Sequence, residues 1–95
     1  MMKNLNLYSD PKTVYKLAHY IYGPDVEIKE STRKDKKYML KNPFTNRWVH
    51  FGQYGYEDYT RHKNLSRRLA FRTRNRSWAN ENPFSPAFLS YYLLW

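Results

Sequence analysis

From Pro11 to Tyr22 the apolar residues recur at helical spacing. Val14, Leu17, Ala18 and Ile21 fall at i, i+3, i+4 and i+7 and make one stripe. Asp10 stands where a helix cap belongs, Pro11 fits the first helical position, and Gly23-Pro24 stops the run. The period then changes to two. Val26 and Ile28 alternate with Glu27 and Lys29, and Tyr38 and Leu40 share a face. Val49 and Phe51 share one face, while Trp48 and His50 share the other. This alternation predicts strands over 26–31, 37–41 and 47–51, joined by turn-rich segments at 32–36 and 42–46. A three-stranded antiparallel meander over 25–52 is the economical arrangement.

Beyond Gly52 and Gly55 the helical period returns. A basic helix is predicted over 57–77, with Glu57 and Asp58 where the helix dipole favours acids. On its wheel Asp58, His62, Leu65 and Leu69 share a face. Arg61, Arg68 and Arg72 line one flank of that face, and Lys63, Arg67 and Arg74 lie nearly opposite. Leu65 and Leu69 are the expected packing seam against the sheet. Trp78–Pro83 reads as a loop. Ser85-Pro86 repeats the cap-plus-proline signal, and the segment 84–95 is apolar nearly all round, so it must be buried in the chain's own core or against a partner. The fold class is α+β in one small domain, 1–95. It comprises an N-terminal helix within 1–24, the meander, the basic helix, and a short apolar C-terminal helix.

Composition narrows the function classes. Aromatic residues make up 19% of the chain, enough ring area for a compact core, so disorder is not the default reading. The absence of cysteine excludes a disulfide framework, a thiolate metal site and a cysteine nucleophile. Met1–Tyr8 holds no apolar run of signal-peptide length, and no stretch approaches the roughly 18 apolar residues of a membrane span. The expected setting is the cell interior, cytoplasm or nucleus, and not the secreted space.

Charge adds the sharpest signal. The net charge is +9, and it is uneven: residues 61–95 carry seven Lys/Arg against one acid, Glu81. All seven cations, Arg61, Lys63, Arg67, Arg68, Arg72, Arg74 and Arg76, lie in a segment without an acid. A merely solvated helix would mix signs for support. Six of the seven are arginine, whose planar fork suits phosphate oxygens. No set of side chains marks base reading, so the expected partner is a nucleic-acid backbone, bound with little sequence preference. An acidic protein surface is the alternative.

Three further constellations bear on chemistry. The rings Tyr38, Trp48, Phe51, Tyr54, Tyr56 and Tyr59 interleave with basic groups. A small domain needs most of them for its core, and Trp48, which alternates away from Val49 and Phe51, is the best candidate for stacking a base. His50, Asp58 and His62 loosely resemble a ββα-metal nuclease, with a hairpin leading into a helix. The ligand set and general base of that pattern are incomplete, so a hydrogen bond from His50 to the Asp58 region is the expected role. No catalytic, cofactor or metal residue is assigned. Finally, Phe88, Tyr91, Tyr92 and Trp95 either close the core or dock another subunit.

Short blocks in order, Lys36-Lys37-Tyr38, His50-Phe51-Gly52, Gly55-Tyr56, Asp58-Tyr59-Thr60, His62-Lys63, Arg67-Arg68, Arg72 and Leu93-Leu94-Trp95, resemble a family of small uncharacterised basic proteins of the nucleocytoplasmic large DNA viruses, the giant viruses. The resemblance spans roughly 26–95. The chain departs from the pattern in its proline-containing 42–46 turn and at Asn64, where an acidic residue is usual. The resemblance carries no activity. It implies a viral setting, with a genome to compact and a capsid to build, and so a virion-associated DNA-binding protein or, alternatively, a minor capsid or assembly protein.

Overall fold

The computed structural model describes residues 4–95. Met1 to Lys3, the start of the segment expected to lack a leader, lie outside the described residues. A 3₁₀ turn at Leu5–Leu7 leads into helix α1, Pro11–Tyr22. Pro11 opens α1 as the sequence predicts. Asp10 does not cap a backbone N–H, however, because its carboxylate accepts the Thr13 hydroxyl at 2.8 Å instead. Gly23, at φ +98°, ends the helix with its N–H on the His19 carbonyl, in a conformation that a residue with a Cβ rarely adopts. Val14 and Ala18 are buried and Leu17 packs against the core, but Ile21, in the last turn of the stripe, stands exposed.

Strands β1 (Ile28–Glu30), β2 (Lys36–Asn42) and β3 (Arg47–Gln53) form the antiparallel meander, in the order β1-β2-β3. The register pairs Ile28 with Leu40, Tyr38 with Phe51 and Leu40 with Val49, which puts the apolar set on one face. That face is the floor of the core. Tyr38 stacks on Phe51 at 5.7 Å, and Tyr15 of α1 meets Tyr38 edge-on at 5.9 Å. Val26, expected within the first strand, precedes it and packs on the same core.

The C-terminal segment packs into the same core, beside α1. Helix α4, Pro86–Leu89, is capped by Ser85 Oγ, which accepts the Phe88 N–H at 3.2 Å. It continues as a π-helical turn over Ser90–Leu94. The wider i→i+5 turn brings Leu94 round toward the side of Leu89, so Leu89, Leu93 and Leu94 are all buried. Leu89, Leu93 and Leu94 thus close the core, as one of the two readings of this segment expects.

Gly52 is where this cover touches the sheet. At φ +80° it lies across the ladder from Lys37, and a Cβ there would stand 2.8 Å from Leu94 Cδ1 and 3.3 Å from the Lys37 stem. Gly52→Ala is therefore expected to cost about 2 kcal/mol, from overpacking together with a disfavoured φ. A thermal melt unchanged from the parent chain would contradict it.

Candidate nucleic-acid interface

The basic segment is not one helix over 57–77. Tyr59–His62 forms a single turn, α2, and Leu65–Arg74 forms α3, with a corner between them. Lys63 sits at φ 54° in the left-handed region. Asn64 caps α3, its side-chain oxygen accepting the Arg67 N–H at 3.1 Å, while its own N–H donates to His62 Nδ1 at 2.9 Å. Asparagine is among the strongest residues at this capping position. A 3₁₀ turn, Arg76–Asn80, follows where a loop was expected from Trp78.

The corner re-aims α3. Because α2 and α3 are not one rod, the expected stripe from Asp58 to Leu69 is broken. Leu65 and Leu69 are not the packing seam: they are 55% and 56% exposed. The face turned to the body carries Arg68, Phe71, Arg72 and Asn75 instead.

This divides the seven cations in two. Arg68 Nε and Arg72 Nε both donate to the Trp95 backbone oxygen, at 2.6 and 3.0 Å. The Arg68 guanidinium lies over Tyr59 at 4.7 Å and that of Arg72 over Tyr91 at 4.5 Å. These two arginines fasten α3 to the C-terminal cover. Arg61, Lys63, Arg67, Arg74 and Arg76 are exposed. Of these, Arg67 approaches Glu57 at 3.8 Å, a solvated pair of little energetic weight.

Below α2 lies a buried polar knot. Asp58, the cap of α2, takes the Thr60 N–H at 3.0 Å and the Thr60 hydroxyl. Its other oxygen takes Lys37 Nζ at 3.0 Å, and both side chains are almost fully buried. Tyr38 donates its hydroxyl to Ser9 at 2.8 Å, and Ser9 and Thr60 share a bond at 3.2 Å. With the Thr60 proton committed to Asp58, the hydroxyls run in one direction, from Tyr38 through Ser9 and Thr60 to the carboxylate. Burial pushes the Tyr38 hydroxyl well above its usual range, which keeps it a donor. Burial also pulls the Lys37 ammonium below the ordinary lysine value, against the opposing pull of Asp58. The knot ties β2, the N-terminal turn and α2 together, and so fixes the base on which the cations stand.

His62 closes the corner from inside. Since Nδ1 accepts the Asn64 N–H, the ring proton sits on Nε2, which is buried without a hydrogen-bond partner among the described residues. The ring lies 5.3 Å from that of Trp95. Burial first, then the Arg67 guanidinium, lowers the His62 pKa, while Glu57 and Asp58 oppose the shift. A depressed histidine pKa means that the unfolded chain binds the proton first as the pH falls. The His62 contribution to stability is thus full above the ordinary value of about 6.5 and is lost as the pH drops below it. Denaturation at pH 7.5 and pH 5 is expected to show a smaller acid loss in His62→Gln than in the parent. An equal loss in both would contradict this.

The remaining candidates fall as follows. Tyr38 and Phe51 are core, Tyr54 meets Tyr8 edge-on at 5.2 Å, and Tyr59 lies under Arg68. Trp48 faces away from the core as expected, but Lys29 stands over its ring at 4.8 Å and Lys41 at 5.9 Å. His50 Nδ1 bonds Ser31 Oγ at 2.6 Å, not the Asp58 region, whose carboxylate is taken by Lys37 and Thr60. Among the described residues no three His, Asp or Glu side chains gather as a metal site. Trp95 stacks on Phe71 at 4.3 Å, Phe88 meets Tyr92 at a tilt at 4.4 Å, and all four terminal rings named above are half-buried. No helix among the described residues is long and apolar enough to cross a membrane.

Comparison with known proteins adds one finding. No curated protein and no solved structure matches the chain. A family model described as "Family of unknown function (DUF5754)" matches residues 26–75, from the approach to β1 through the end of α3, and so takes in Lys37, Gly52, Asp58 and most of the basic segment. With more than half of its length matched, the chain belongs to the DUF5754 family.

Proposed function

We propose that this chain is a non-enzymatic, largely sequence-nonspecific nucleic-acid-binding protein, holding phosphates along α2, the corner and α3. The observation that carries the reading is the set Arg61, Lys63, Arg67, Arg74 and Arg76: five exposed cations within an acid-free segment. They stand on short helices anchored by a buried ion pair, not on a loose tail. Arg67 and Arg74, seven residues apart on α3, share a side of the helix and lie about 10 Å apart along it. Side chains so placed position a protein on a backbone without reading sequence. The likeness to giant-virus proteins supports a viral genome as the nucleic acid and the virion as the setting.

A second reading draws on Leu65 and Leu69. Two exposed leucines on a basic helix suit an acidic protein surface with apolar spots, as an assembly or minor capsid protein would meet. The two readings separate on one variant. Replacing Arg67, Arg74 and Arg76 together by alanine is expected to lower the salt slope of DNA binding by about 2–3, at roughly 0.7–0.9 for each phosphate no longer neutralised. Binding in fluorescence anisotropy with the same slope for parent and variant would contradict the phosphate reading.

A further inference from the structure

Beside α3 the structure opens a cleft of about 710 Å³ between the Gly52 end of the sheet, α3, the 3₁₀ turn and the C-terminal cover. That volume lies within the range of sites that take a small organic group, about 300–1,000 Å³. Tyr56, Phe71, Trp78 and Trp95 are the aromatic residues that line it beyond the core ring of Phe51. Phe71 and Trp78 meet edge-on at 5.7 Å and Phe71 lies flat on Trp95, so three of these rings form one packed wall. Tyr56 differs. It is 69% exposed and packs on no other ring among the described residues, a large side chain standing at the rim.

The charge around the cleft says what would enter it. Phe71 faces the cleft from α3, and Arg67 and Arg74, at i−4 and i+3, flank it on the same side of the helix. Arg67 also reaches Glu57, itself a lining residue. Arg76 precedes Trp78 by two positions in the next turn, and Lys36 lines the opposite side. The exposed leucines lie on the other flank of α3, away from Phe71. An aromatic slot bordered by cations matches a chain that is anionic along its backbone and flat and aromatic in its side groups.

We infer that the cleft receives an unpaired base of a single-stranded nucleic acid, stacked on Tyr56 against the Phe71–Trp78 wall, with the flanking phosphates on Arg67, Arg74 and Arg76. This rests on the phosphate-binding reading above and adds the form of nucleic acid to it. In a duplex both faces of each base are already stacked, and nothing is free to enter. In a single strand the base faces are available, and aromatic stacking tolerates any sequence.

The test separates base from backbone. The full chain is titrated with labelled oligothymidylate and with an abasic oligonucleotide of the same number of phosphates. Oligothymidylate is expected to bind about tenfold more tightly, the weight of one base stack. Tyr56→Ala is expected to erase that difference, and Tyr56→Phe to keep it. Tyr56 is exposed, so both variants are expected to melt as the parent does. Equal affinity for the two oligonucleotides, unmoved by Tyr56→Ala, would overturn the cleft as a base site and leave the phosphate reading standing. A cleft meant for an apolar peptide gives that same result. Binding to neither at low salt would overturn both.

Discussion

Lys37→Met is expected to lower the unfolding free energy by about 3–5 kcal/mol, the cost of stranding a buried carboxylate. Asp58 and Lys37 are 1% and 3% exposed at the side chain and meet at 3.0 Å, so neither charge has water to fall back on. Lys37 also approaches the Tyr8 carbonyl at 3.4 Å, and the Asp58 N–H donates to that same carbonyl at 3.0 Å. Removing the ammonium therefore leaves a carboxylate held, among the described residues, only by Thr60. A second change should recover much of the loss. Asp58→Asn in the Lys37→Met background removes the stranded charge and keeps a side-chain oxygen for the Thr60 N–H. Urea denaturation of the parent, both single variants and the double variant measures this as a coupling free energy. Additive losses would mean that the pair does not act as a unit.

The second large effect splits the arginines. Arg68→Ala and Arg72→Ala are each expected to cost about 2 kcal/mol, because each removes a charged hydrogen bond to the Trp95 oxygen and a cation–ring interaction. Arg67→Ala, Arg74→Ala and Arg76→Ala, whose side chains stand in solvent, are expected to stay within about 0.5 kcal/mol of the parent. Affinity for nucleic acid should rank the two groups the other way. Thermal melts and binding isotherms on the same five proteins give both orders. A single common order, in which stability and affinity fall together for all five, would contradict the division.

The parts of the fold that repeat with a period are legible in the chain. The α1 stripe, the alternation in β2 and β3, and the Ser85-Pro86 start of the last helix each follow from local chemistry that the tertiary structure supports. The corner at 63–64 is harder, because arginine and leucine continue the helical period through it. The cap Asn64 and the left-handed Lys63 override that period, and with it goes the expected seam of Leu65 and Leu69. Lys37 carries no signal of burial. Period two sets it opposite Tyr38 and Leu40, and only its long side chain, passing the empty position at Gly52, reaches Asp58. Likewise, nothing local distinguishes Arg68 and Arg72 from Arg67 and Arg74. Which pair turns inward depends on the direction that the corner gives α3. The cover over Trp48 is legible in part, since the register that pairs Lys41 with Trp48 follows from the meander. The cleft is the work of four separate segments, and its lining appears only when they are folded together.

The proposed function is that the exposed cations on α2, the corner, α3 and the 3₁₀ turn hold nucleic-acid phosphates. Its most direct test is the affinity of the full chain for a labelled oligonucleotide, measured across a series of salt concentrations. If all five exposed cations engage, log K falls linearly with log salt with a slope of about −4, and the Arg67, Arg74 and Arg76 triple alanine variant brings it to about −2. Absence of binding at low salt, or an affinity that salt does not change, would contradict the account.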